Sequence, residues 1–233
     1  MGIQRQTAPV SERYGNVVPL VPRRHPEKPR IVRLSPELDG LELLYSNDRH
    51  PDKMFSIKIL CWALRDDDSV VAIIPWLNAV IPCQELADPL NGRWEGYRLP
   101  DSAYMFEEAP QHKQDELRAA AAFFGRPCSN QPAAQEIPDT IGTHAVFSAD
   151  GFHTISLLEV VSWRLSGNGT LSAMVIDDSA VGHTPILPGD PCLYAAQEHS
   201  DFRYFFQHQI ANRIKERDPE TLAAISVLAS DDE

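Results

Sequence analysis

The side chains best suited to chemistry crowd between His183 and His208. That stretch holds His183, Asp190, Cys192, Glu198, His199, Asp201, Arg203 and His208. Imidazoles and carboxylates that converge can hold a divalent cation or share acid–base work. The candidate catalytic residues are therefore His183, Asp190, His199 and His208, and the reaction they would serve is a metal-assisted hydrolysis. Their spacing argues against this use. His199 and His208 are nine positions apart, whereas two ligands on one helical face stand at i and i+4. On a helix capped by Ser200 with Phe202 inward, His208 falls roughly 240° around the axis, toward solvent. The GxSxG elbow, the P-loop, HExxH and the dinucleotide glycine pattern are all missing. The reading leans away from an enzyme and expects neither metal nor cofactor.

A second constellation is Asp177-Asp178-Ser179-Ala180-Val181-Gly182. It resembles the D/N-x-S-x-x-G half of the signature of PilZ domains, small β-barrels that bind cyclic di-GMP. The resemblance covers six residues and implies a cyclic-dinucleotide receptor as an alternative function. The RxxxR element that such domains carry upstream is not matched, since Arg164 alone stands in that region.

Aromatic side chains form a third group. Trp76, Trp94, Tyr97, Tyr104 and Phe106 fall in and around a long connection, with Arg93 and Arg98 among them. Aromatics and arginine are enriched at protein-binding hot spots. Trp76, Trp94, Tyr97, Arg93 and Arg98 are accordingly the candidate binding residues. The competing use is to seal one face of a sheet.

Composition narrows the class. The chain has 233 residues, is 43% hydrophobic and 23% charged, and carries a formal charge of −12 with a pI near 5.1. An acidic surface repels phosphate backbones, so general nucleic-acid binding is not expected. No apolar run reaches the roughly 18 residues that span a bilayer, and the first residues lack a secretory core. Cys61, Cys83, Cys128 and Cys192 show no CxxC pair, which fits a reducing cytoplasm rather than a metal finger or disulfide framework. Residues 1–29 carry Arg5, Arg13, Arg23, Arg24 and Lys28 among several prolines. They read as a basic, extended arm on an acidic body.

The elements that must position these groups read as an α+β protein, with antiparallel β-hairpins packed against a few helices. Short strands are expected at 30–34 and 41–45, then a hairpin from 54–64 to 69–74 around Asp66-Asp67-Asp68. That acidic tip lacks the glycine and closing glutamate of a calcium loop. Residues 84–110 read as an ordered loop, and Asp115–Phe124 as a helix, with Leu117, Ala120, Ala121 and Phe124 on one face. After a connector at 128–139, the order recurs. A strand is expected at 144–147, a hairpin over 154–176 with its tip at Gly167-Asn168-Gly169, a Pro-rich loop, and two closing helices. The first of these has Ser200 as cap, and the second opens at Asp218-Pro219.

Slid by the 101 positions that separate Trp62 from Trp163, the two hairpins align Leu64 with Leu165, Ser69 with Thr170 and Ala72 with Ala173. Two pseudo-repeated halves, 30–127 and 140–233, would explain this; shared β patterning explains part of it. The expectation is a cytoplasmic, non-catalytic protein-binding or regulatory module. Another protein is its expected partner, and homo-oligomerisation stays open.

Overall fold

The computed structural model describes residues 28–47, 54–86, 92–102, 105–127, 134–149, 155–176 and 193–207, together with 211, 219 and 222–223. Antiparallel sheets dominate, and among the described residues one long helix accompanies them. No helix there is long and apolar enough to cross a membrane.

The first part of the chain builds two small sheets. Strands β1 (Ile31–Pro36), β4 (Cys61–Arg65), β5 (Val70–Trp76) and β6 (Ala79–Pro82) lie side by side in that order. Strands β3 (Met54–Lys58), β2 (Glu42–Asn47) and β7 (Gly92–Arg98) form the second sheet. The expected single strand over 54–64 is therefore broken at Ile59–Leu60, and each part joins a different sheet. The region read as a loop contains β7, which pairs with β2. Helix α1 spans Gln111–Phe124 and starts four residues earlier than its apolar stripe indicates.

The later part follows the same order. Strands β8 (Gln135–Pro138), β9 (His144–Phe147), β10 (Ser156–Leu165), β11 (Leu171–Ile176), β12 (Leu193–Ala195) and β13 (Phe202–Phe206) succeed one another. The long β10 pairs through its first half with β9 and through its second half with β8 and β11. It thus does alone what β3 and β4 do together. Strand β8 occupies the end of the stretch read as a connector.

A further expectation is overturned. Phe202–Phe206 is a strand, not the first turn of a helix capped by Ser200. The sequence Phe-Arg-Tyr-Phe-Phe has the aromatic content that favours a pleated surface, and a register shift between Phe202 and Tyr204 lets both faces be buried. Phe205 and Phe202 join one apolar cluster, while Phe206 and Tyr204 join the other.

Those two clusters explain the apolar run Cys61–Leu64. Trp62, Leu64, Ala72 and Ile74 pack with Tyr97, Leu117, Val146 and Phe206. Cys61, Ala63, Val71 and Ile73 face the other way, onto Trp163, Leu165, Ala173, Val175 and Phe205. A sheet buried on both faces needs continuous rather than alternating hydrophobics.

Two tight corners have matching hydrogen bonds. The Trp62 indole N–H donates to the Glu37 carboxylate, whose other oxygen accepts the Asp39 N–H at 2.6 Å and the Leu41 N–H at 3.2 Å. The Trp163 indole donates to Asp139 at 2.8 Å, and Asp139 accepts the Ile141 N–H at 3.3 Å and the Thr143 N–H at 2.9 Å. In both corners the acid follows a proline that ends a strand. Gly40 (φ 77°) and Gly142 (φ 70°) supply the left-handed residue that turns the chain. The hairpin tips match too: the Asp67 side chain accepts the Ser69 N–H at 3.0 Å, and the Asn168 side chain accepts the Thr170 N–H at 2.9 Å.

Candidate functional site

Strand β7 ends beside a large surface cleft. The Tyr97 N–H donates to the Phe106 carbonyl at 2.7 Å, and the Phe106 N–H returns to the Tyr97 carbonyl at 2.8 Å. This bridge holds residues 105–108 along β7 before Ala109 and Pro110 lead into α1. Close approach requires a glycine: a Cβ on Gly96 (φ 145°) would stand 2.8 Å from the Phe106 carbonyl oxygen. The cleft so formed has a volume of about 830 Å³. Leu41, Leu99, Met105 and Phe106 give it apolar walls, and Asp39, Glu107 and Glu108 give it an acidic rim. Met105 and Phe106 are 46% and 42% exposed. His112 reaches across to Asp39, with Nε2 2.8 Å from the carboxylate. Glu107 and Glu108 have no ion-pair partner among the described residues, so their charge faces any occupant.

The candidate binding aromatics divide by burial. Trp76 lies in the core with its ring edge-on to Tyr45 at 6.4 Å. Tyr97 is fully buried, its ring 4.8 Å from that of Trp62. Its hydroxyl sits 3.0 Å from Cys83 Sγ and accepts a bond from Gln84. Burial pushes the Cys83 thiol up to about 11 and raises the Tyr97 hydroxyl as well. Trp94 is half-buried against Tyr97, its indole N–H buried without a partner. Arg98 is half-buried at the end of β7, and the Arg93 side chain lies outside the described residues. Met105, Glu107 and Glu108 were not marked by the sequence. Their signal is slight: an acidic pair beside two large apolar residues, just before a helix.

Of the candidate catalytic residues, His199 alone is described; His183, Asp190 and His208 lie outside the described residues. His199 is half-buried, and its Nδ1 accepts the Asp201 N–H at 3.2 Å. Its ring stands against Phe147 and Tyr194, with centroids 5.5 Å and 5.8 Å away. Among the described residues no three His, Cys, Asp or Glu side chains are grouped so as to hold a metal ion. Asp177–Gly182 also lies outside the described residues. The upstream Arg164 is paired with Glu136 at 3.0 Å. The acidic hairpin tip is tied by basic side chains, Asp68 meeting Arg126 at 2.7 Å.

Set against protein-family models, curated proteins and solved structures, the chain finds no match in any of the three.

Proposed function

We propose that this protein is a non-catalytic binding module that takes a basic, apolar-anchored segment of another protein into the Met105–Phe106 cleft. The observation that carries the reading is the pairing of exposed apolar walls with an acidic rim in one concave surface. Apolar anchors give such an interface its energy, and flexible Met side chains adapt to the segment that enters. The charge of the rim selects the sign of the partner and speeds its approach. A chain of net charge −12 reinforces that selection.

The test uses two synthetic amphipathic peptides that share their Leu and Trp anchors and differ in having Lys or Glu between them. Fluorescence anisotropy with the full chain should show binding of the Lys peptide and none of the Glu peptide. Phe106→Glu should weaken the Lys peptide by at least tenfold, about 1.4 kcal/mol. Equal binding of both peptides, or of wild type and variant, would end the proposal.

The descent of the two halves from one duplicated unit belongs to the same proposal. It is supported by the shared strand order, the two indole–carboxylate corners and the two side-chain-closed hairpin tips. Such corners involve residues far apart in sequence, which makes their recurrence harder to attribute to β patterning alone.

A further inference from the structure

We infer that a second site, beside His199, binds a methylated ammonium group, either free or on a lysine side chain. A recess of about 160 Å³ opens there, and Phe147, Tyr194, His199, Asp201, Ser156 and Leu158 are among the residues that line it. The Phe147 ring stands at 62° to Tyr194 and 88° to His199, and Tyr194 and His199 meet at 42°. The Phe147 and Tyr194 rings and the His199 imidazole, packed against one another, therefore border one small space. The Asp201 carboxylate, 32% exposed and 3.9 Å from His199 Nδ1, closes another side. Ring faces attract cations through their quadrupole, and a quaternary ammonium binds such surroundings because its charge is spread over methyl groups and weakly hydrated. The recess has room for about five waters at roughly 30 Å³ each, the size of a five-heavy-atom head group. The carboxylate disfavours anions. The Arg203 guanidinium lies nearby but donates to the Ser148, Ser200 and Phe202 carbonyls.

Strand register explains why there is space. In the first sheet pair, Tyr45 of β2 stands opposite Phe55 of β3, and their rings pack at 5.4 Å. In the second, Phe147 of β9 stands opposite Ser156 of β10. A serine occupies the position that a ring fills in the other half. The recess is thus a specific vacancy in a recurring arrangement. This comparison draws on the duplication proposed above, while the rings and the carboxylate stand without it. The site is independent of the Met105–Phe106 cleft.

The experiment is calorimetric titration of the full chain with choline, with its neutral carbon isostere dimethylbutanol, and with a short peptide carrying trimethyl-lysine or unmodified lysine. A cation site binds choline or the trimethyl-lysine peptide, and holds the neutral isostere about tenfold more weakly. Ser156→Phe should fill the recess, abolish cation binding and leave the unfolding midpoint equal or higher. It should also leave binding of the Lys-rich peptide at the other cleft unchanged, which separates the fates of the two sites. Tighter binding of the trimethyl-lysine peptide than of choline assigns the cation to a modified protein; the reverse assigns it to a free metabolite. Equal affinity for the cation and its isostere overturns the inference. So does cation binding that survives Ser156→Phe, or the absence of binding by both cations.

Discussion

At the scale of single residues, Glu37 shows how a buried charge is made tolerable. It is 6% exposed, yet its two oxygens accept one indole and two backbone N–H groups. Those donors supply what water would have supplied. Glu37→Ala removes the acceptor and leaves the buried Trp62 N–H and the turn amides unpaired. It should destabilise the protein by about 2–3 kcal/mol, read as a lower midpoint in urea unfolding. Asp139→Ala, in a corner that is half-buried, should lose less. Equal losses, or none at Glu37, would show that the corners are held by packing instead. Nothing in a single sequence marks Glu37 as buried, because its donors come from Trp62 and from a turn two to four residues on.

At the scale of elements, glycine and register decide how segments meet. Gly96 admits the Phe106 carbonyl to within a distance that no Cβ tolerates, and its φ of 145° is one that other residues rarely adopt. Gly96→Ala should lower stability by about 1–3 kcal/mol and push residues 105–108 away from β7. Backbone amide exchange at Phe106 should quicken, and affinity for the Lys-rich peptide should fall with it. Unchanged exchange would mean that the loop is held by something other than its bridge to Tyr97. Strand β13 gives the complementary lesson. A spacing of Phe202, Phe206, Ile210 and Ile214 satisfies a helical template, yet β9 offers an edge on which Phe202–Phe206 can pair. Five aromatic-rich residues gain more from two apolar faces than from one helical stripe.

At the scale of the whole molecule, each apolar cluster draws on both parts of the chain. Val146 and Phe206 pack with Trp62, and Cys61, Ala63, Val71 and Ile73 pack with Trp163. The Phe205 N–H donates to the Leu77 carbonyl at 2.7 Å, at the tip of the β5–β6 hairpin. The Gln135 side-chain amide bonds both the N–H and the carbonyl of Leu34, at 2.8 Å and 2.7 Å. Among the described residues, each cluster thus holds buried side chains from both parts. Urea unfolding should therefore follow one transition, with tryptophan fluorescence and far-ultraviolet circular dichroism superimposing. Two separated transitions would show that the parts fold on their own.

The sequence by itself determined the local elements whose signals are local. Alternation marked 30–34, and short apolar runs marked 41–45 and 144–147; turn residues marked the two hairpin tips; an i, i+3, i+4 stripe marked the helix ending at Phe124. It also determined the acidic charge. The tertiary structure alone decided which faces are buried and which side chains converge. Trp76 and Tyr97, read as candidate contacts, lie in the core because β2, β5 and β7 meet around them. Met105 and Phe106 stay outside because a bridge to Tyr97 holds their loop on the surface. The recess beside His199 is lined in part by Ser156, 43 positions away in the chain. The physical reason is the same in each case. Propensity and periodicity act over a few residues, whereas burial and convergence depend on strand pairings that bring distant residues together.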